Sequence, residues 1–300
     1  MSFTIASSLD DALAAMAAGA RPVAGGSDLV VAARHGKAPL PDAIVAIDRL
    51  TELVGVTATA DGVRIGALTT HAALMTDPTI LAVCTGLADA CALVGSPATR
   101  NVGTIGGNVM NSSPAMDTGA PLLAAGASVE LRSANGTRVV PIGALWTGPG
   151  RNVAVADELC TAVLLPNVMA RSGSAYVRLE YRRAMEIAVV GAGAAVTLAS
   201  DGTISRVAVA LTAVAPTIIA VDGLDGFVVG RAVDEDLLAG IAAVAAEQAS
   251  PISDLRASDR YRRHCVGVMA RRAVEAAVRR ATGESIPVPV NRAFGIGAAR

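Results

Sequence analysis

Three hundred residues with 52% apolar and 17% charged side chains exclude a disordered chain and leave room for one large domain or two ordinary ones. The 25 basic and 26 acidic residues give a net charge of −1 with no basic tract, which excludes the electrostatic footprint of a nucleic-acid or anionic-membrane partner.

The opening "MSFTIASSLDDALAAMAAGARPVAGG" is interrupted by Asp10, Asp11 and Arg21 and lacks the basic-then-apolar layout of a signal peptide. Later apolar stretches are rich in Ala and Gly and broken by charges, so none reads as a membrane span, and the expected location is the cytoplasm. Residues 9–19 predict a helix with Leu9, Leu13 and Met16 on one face and Gly19 as its stop. "RPVAGGSDLVVAARHG" predicts a short strand, a Gly-Gly turn and a helix from Asp28. "AIVAIDRL" and "GVRIGAL" read as strands, the second entered through an Asp61-Gly62 turn. A mostly helical stretch leads into the glycine-rich "RNVGTIGGNVMNSSPAMDTGAPLLAAGA". Two strands around an Asn135-Gly136 hairpin turn follow, and "ELCTAVLLP" predicts a buried strand closed by Pro166.

After about residue 170 the pattern changes. "SAYVRLEYRR", alternating apolar runs around an Asp201-Gly202 turn, and two alanine-rich helices predict a small antiparallel sheet backed by helices. The fold class is therefore α+β, with a boundary near residue 172 and a loosely held tail over residues 285–300. The late helix "DRYRRHCVGVMARRAVEAAVRR" sets Arg260, Arg262, Arg263, Arg271 and Arg272 around an apolar stripe of Tyr261, Val268 and Met269. It reads as a core-facing stripe with a solvated basic face, or as a face that docks on a partner.

Cys84, Cys91, Cys160 and Cys265 form no CxxC pair, and His35, His71 and His264 are scattered, so zinc and iron–sulfur spacings are absent. A redox role needs an organic cofactor. Aromatic residues are 2% of the chain, so a ring-shaped ligand must be gripped mostly by backbone and aliphatic side chains. Two glycine loops offer that grip. In "VAGGSDL", Gly25 and Gly26 can let backbone N–H groups converge on an anion, with the Ser27 hydroxyl and a helix start at Asp28 beside them, or can simply turn a strand into a helix. "NVGTIGGN" offers a second run of backbone donors, with the Thr104 hydroxyl and the Asn108 amide. Asp117, nine residues beyond Asn108 and with no cation near it in sequence, suits a ribose hydroxyl or a helix N-cap. "VVGAGAAV" imitates a GxGxxG fingerprint, but Val196 takes the last glycine position and a strand follows instead of a helix, so it predicts tight packing.

The order AGGSD, RNVGTIGGN, that Asp, DELCTAVLLP, YVRLEYRRAMEIAVV and SDLRASDRYRRHCVGVMARRAVEAA resembles the medium, FAD-binding subunit of the molybdenum hydroxylases, the family of xanthine dehydrogenase and carbon monoxide dehydrogenase type enzymes. The resemblance implies a two-part FAD-binding domain of the vanillyl-alcohol-oxidase (PCMH) type over residues 1–172 and a CO dehydrogenase flavoprotein C-terminal-like domain over 173–284. It implies FAD contacts at Val23, Ala24, Gly25, Gly26, Ser27, Asp28 and Leu29, at Thr104, Ile105, Gly106, Gly107 and Asn108, and at Asp117. It also places Leu159 near the flavin, Arg178 where relatives carry lysine, and Ile187 against the isoalloxazine where some relatives carry tyrosine. The implied function is electron transfer within a dimer of heterotrimers. A large subunit would hold a molybdenum cofactor and hydroxylate an N-heterocycle, an aldehyde or CO. A small subunit would hold [2Fe-2S] clusters, and the FAD here would pass electrons to oxygen, a quinone, a carrier protein or NAD. Two other readings compete: a self-sufficient FAD-dependent oxidase of the same fold, and a nucleotide-binding scaffold without redox chemistry.

Overall fold

The N-terminal residues form three parallel strands, β1 (Ser2–Ile5), β2 (Arg21–Val23) and β3 (Ala43–Ala46), ordered β1-β3-β2. Parallel neighbours need crossovers, which α1 (Leu9–Ala17) and α2 (Ser27–Arg34) supply. The Ser8 hydroxyl accepts from the Asp11 N–H at the start of α1, and Leu13 and Met16 bury the predicted face. The structure, a computed structural model, describes residues 2–182 and 184–296.

A five-stranded antiparallel sheet follows: β4 (Val56–Thr59), β5 (Gly62–Gly66), β6 (Ser128–Ser133), β7 (Gly136–Pro141) and β10 (Leu159–Pro166), in the order β4-β5-β10-β6-β7. A small hairpin, β8 (Trp146–Gly148) and β9 (Arg151–Asn152), precedes the central strand β10. The β6–β7 turn is set one residue earlier than predicted: Ser133 pairs with Gly136, leaving Ala134 and Asn135 at the tip. Short helices fill the long connection from β5 to β6. They are α3 (His71–Leu74), α4 (Pro78–Val83), α5 (Thr85–Leu93), α6 (Pro97–Val102), α7 (Ile105–Asn111) and α8 (Gly119–Ala124). One further turn, α9 (Ile142–Leu145), follows β7.

The last sheet holds β11 (Ser172–Leu179), β12 (Val190–Leu198), β13 (Ile204–Thr212) and β14 (Ile219–Ala220), antiparallel and in chain order. After it come α10 (Asp225–Val228), α11 (Glu235–Gln248) and α12 (Asp259–Ala281). Alternate residues of β11 enter different cores. Ala175 and Val177 join Met269 and Val274 of α12, whereas Tyr176 joins Leu87 and Ala120 of the preceding unit. The sheet is thus covered on both faces, which is why its strands read as near-continuous apolar runs. The false fingerprint serves this packing: a Cβ on Gly193 would lie 2.7 Å from the Ala120 carbonyl carbon.

The buried carboxylate of Asp89, on α5, ties the two parts together. It accepts two bonds from the Arg280 guanidinium of α12 (2.6 and 3.0 Å), one from the Tyr176 N–H (3.2 Å) and one from the Val290 N–H (2.9 Å). The segment after α12 is therefore anchored as far as Ile296, not loosely held: Asn291 also exchanges two bonds with the Arg178 backbone. Residues 297–300 of the predicted tail lie outside the described residues. Four of the five arginines of the basic face of α12 are engaged within the chain, and Arg260 is exposed. Arg262 is buried and donates to the Val189 and Ala213 carbonyls, Arg263 reaches the end of α11, Arg271 pairs with Glu235, and Arg272 lies over the Phe294 ring.

Removing one partner strands a buried charge, at a cost of about 3–5 kcal/mol. Arg280→Met is expected to lower stability to urea by that amount, and an unchanged unfolding midpoint would refute the role assigned to the seam.

Candidate functional site

The first glycine loop leaves β2 at Val23 and enters α2 through Gly26, whose left-handed φ of +64° suits glycine. Among the described residues, the backbone N–H groups of Gly25, Gly26, Ser27, Asp28 and Leu29 donate to no protein acceptor. Five consecutive free donors at a helix start can receive an anion. The helix that follows buries none of its residues, and Val30 and Val31 stand exposed on it.

The second loop lies directly against the first. A Cβ on Gly25 would sit 1.8 Å from the Val102 carbonyl oxygen, so only glycine permits the approach. Ser96 caps α6 and Thr104 caps α7, and the turn between them holds Gly103. The expected run of donors is absent from this turn. Ile105 N–H donates to Thr69, Gly106 to Ala67, and Gly107 and Asn108 to Thr104, which leaves only the Thr104 N–H free. Gly106 is a packing residue, because a Cβ there would meet Ala67 at 2.6 Å.

The Thr118 hydroxyl donates to Asn108 Oδ1 at 2.6 Å and so places Asp117 beside the second loop. Asp117 has a cation after all. Arg178 Nη1 pairs with its Oδ2 at 2.7 Å, and the Tyr176 hydroxyl donates to its Oδ1 at 2.8 Å. Arg178 Nε donates to Glu180 (2.8 Å) and Nη1 also to the Glu186 carbonyl, while Nη2 is buried and has no partner. Burial works to lower the pKa of this guanidinium, yet the charges of Asp117 and Glu180 outweigh it and raise the value. Burial, then the Asp117 charge, pushes the Tyr176 phenol well up, so Tyr176 is a neutral donor.

His71 closes the back of the second loop. Its N–H donates to the Gly103 carbonyl, and its buried ring lies 3.5 Å from the Cys91 sulfur. Burial, then the nearby Arg100 charge, pulls the imidazole from 6.5 to about 4, so it is neutral. Burial pushes the Cys91 thiol up as well. The pair is a packed contact, without the thiolate that nucleophilic chemistry needs.

Two predicted residues stand apart from this cluster. Leu159 is buried among Leu13, Leu50, Leu53 and Leu68, under the N-terminal sheet. Ile187 is exposed on the segment whose Met185 N–H donates to Gly95, just ahead of α6. Sequence reasoning missed Tyr176 and Glu180, although Tyr176, Arg178 and Glu180 follow at every second position and so face one way as β11 runs out. It also missed Glu186 and Asn291, for which the sequence holds no local signal.

A family model described as the FAD binding domain in molybdopterin dehydrogenase matches residues 1–168, and one described as the CO dehydrogenase flavoprotein C-terminal domain matches residues 175–277. The chain belongs to the FAD-binding medium subunits of the molybdenum hydroxylases. It is 32% identical to the xanthine dehydrogenase FAD-binding subunit of Escherichia coli O157:H7 over 88% of this chain and 91% of that one. It is 33% identical to the carbon monoxide dehydrogenase medium chain of Afipia carboxidovorans over 87% and 90% of the two. The structure of carbon monoxide dehydrogenase from Hydrogenophaga pseudoflava overlays it with a TM-score of 0.88 and 29% identity, covering 93% of this chain and 98% of that one.

This medium subunit, then, carries an FAD-binding domain and is part of an oxidoreductase. Its residues suit the cofactor: the free amides of Gly25 to Leu29 match a diphosphate. Among the described residues, no helix is long and apolar enough to cross a membrane, and no group of three His, Cys, Asp or Glu side chains could hold a metal.

Gly25→Ala is expected to push the loops apart, so the purified subunit carries little flavin, while Gly226→Ala, with open space around it, keeps it. Equal flavin content in both would overturn the cradle. His71 has a folded pKa below its unfolded value, so the unfolded chain binds the proton better. Stability should be full above pH 6.5 and fall as the pH drops toward 4, by about 3 kcal/mol at most. Denaturation midpoints of His71→Asn should lose this slope between those values.

Proposed function

We propose that this chain is the electron-transfer subunit of a molybdenum hydroxylase, taking electrons from [2Fe-2S] clusters of a small partner and handing them to an external acceptor. Substrate hydroxylation belongs to a large partner that holds the molybdenum cofactor, and the assembly is a cytoplasmic dimer of heterotrimers. The five free amides of Gly25 to Leu29, packed against the second loop, carry the reading. Val23 and Ala24 lead the chain into the cradle. Thr104 through its N–H, and Asn108 through the bond that seats Asp117, complete the wall.

The chemistry that FAD supplies when bound is the uptake and release of electrons singly or in pairs. The protein's share is to bind, orient and exclude water. Beside the second loop, His71 is buried and neutral and Cys91 stays a thiol, so this pair supplies no base or nucleophile. The substrate is selected elsewhere in the assembly: chains this similar are named for xanthine and for carbon monoxide.

Tyr181, Met185 and Ile187 are exposed on the segment after β11, and Ile252, Leu255 and Tyr261 on the loop before α12 and its first turn. The Tyr181 hydroxyl donates to the Arg256 carbonyl and joins the two groups. Exposed apolar side chains in one place suit contact with another chain.

The isolated subunit is expected to be yellow with flavin, to be bleached by dithionite, and to stay oxidised with xanthine, aldehydes or CO. Adding the two partner subunits should restore reduction by the substrate of the complex. A chain that oxidises a small molecule unaided would establish the self-sufficient oxidase instead, and a colourless folded chain that takes up no FAD would leave the scaffold.

A further inference from the structure

Two helices connect the strands of the N-terminal sheet, and the fold holds them very differently. α1 buries Ala12, Leu13 and Met16. α2 buries none of its residues, and every residue from Arg34 to Leu40 is exposed. Among the described residues, the stretch from Ser27 to Pro41 makes no ion pair, and its hydrogen bonds run only within itself and to the Gly26 carbonyl. α6 also buries no residue, yet its Thr99 hydroxyl reaches the Met185 sulfur at 3.6 Å, and the Gly103 carbonyl just beyond it accepts from His71. α2 has no such tie.

α2 has 8 residues. A helix shorter than about 12–15 residues is marginal in water, because the cost of its first turn is not recovered. Its stability must therefore come from its ends or from something bound. The C-terminal end closes on itself, with the Gly36 and Lys37 N–H groups donating to the Ala33 and Ala32 carbonyls. The N-terminal end is open: no side chain caps it, whereas Ser8 caps α1 and Ser258 caps α12. A bound anion would take the place of that cap and complement the helix dipole.

We propose that α2, with the stretch to Pro41, is a strap that opens and closes as one unit, and that the diphosphate of FAD closes it by capping its first turn. The closed form already carries the amides in place, and the flavin binds that form alone. Opening of the strap and release of the flavin are then one event. This inference rests on the FAD-binding reading above. Linkage sets its size: a ligand confined to the closed form lowers the open fraction by 1 + [FAD]/Kd, about a hundredfold at 100 times Kd. A chain without flavin thereby offers Lys37, the one lysine in the sequence, to proteases far more readily than a loaded chain does.

The test is amide hydrogen exchange, followed by mass spectrometry on the full-length chain stripped of flavin, with and without FAD at about 100 times its Kd. Flavin absorbance confirms binding. Without FAD, the amides of Val30 to Lys37 should exchange far faster than those of α1. With FAD they should slow by about a hundredfold while α1 barely changes. ADP, which carries the diphosphate, should slow them too, and riboflavin, which carries none, should not. Cleavage by a lysine-specific protease, possible only after Lys37, should slow with FAD in parallel. Ala32→Gly with Ala33→Gly weakens the helix away from the free amides and should speed exchange and cleavage of the unloaded chain by roughly tenfold or more.

Val30 to Lys37 amides that exchange as slowly as those of α1 before FAD is added would overturn the strap. So would exchange that FAD leaves unchanged although flavin is bound, slowing shared equally by α1, or protection by riboflavin equal to that by ADP. Protection that appears only when partner subunits are added would overturn it too, and would make exposed Val30 and Val31 part of an interface instead. A wild-type chain that shows no flavin absorbance after FAD is added sinks the parent reading, so the two failures are distinguishable.

Discussion

Strand β11 carries two incompatible environments, and the rest of the molecule is arranged to keep them apart. Ala175 and Val177 enter an apolar core under α12, while Tyr176 and Arg178 face the other way among buried carboxylates. A shift of one residue in register would send the guanidinium into hydrocarbon. Charge burial at this depth is tolerated only when every partner arrives together, so Asp89, Asp117, Glu180, Arg280 and the segment at Val290 fold as one condition. The same strand therefore joins the two parts of the chain and places the guanidinium beside the cofactor loops.

The two glycine loops look alike on paper and do different work. In the first, glycine frees the backbone: Gly26 sits at positive φ, Gly25 touches the second loop, and the following amides remain without protein acceptors. In the second, glycine brings α7 down onto Ala67, and its amides are consumed in doing so. Counting where each N–H goes separates donor from spacer, and a count of glycines does not. The free donors accordingly belong to one loop, and the other packs against it.

Local chemistry made much of the fold legible. The helix face of Leu13 and Met16, the Asp201-Gly202 turn, the buried run of β10 and the false fingerprint on β12 each follow from neighbours within a few residues. The Asp61-Gly62 turn, like the one at Asn135, sits one residue earlier because Gly62 pairs with Thr59. The errors share a cause. Asp117 looked unpaired because Arg178 lies sixty-one positions away, and the end of the chain looked loose because its anchors are on α5 and β11. The α12 arginines looked solvated because helical periodicity cannot say which carbonyls wait beneath. Charge pairs across distant segments leave no local mark, which is why the Asp117–Arg178 and Asp89–Arg280 pairs went unread.

Scarcity of aromatic rings sharpens the functional logic. The Tyr176 phenol is spent on Asp117, and the other two tyrosines lie on the exposed rim, Tyr181 and Tyr261. Free amides of Gly25 to Leu29 are directional donors, held in place before a ligand arrives. Such contacts fix a cofactor's orientation without enclosing it in rings. Ile187, exposed beside Met185, adds aliphatic surface where a ring is lacking.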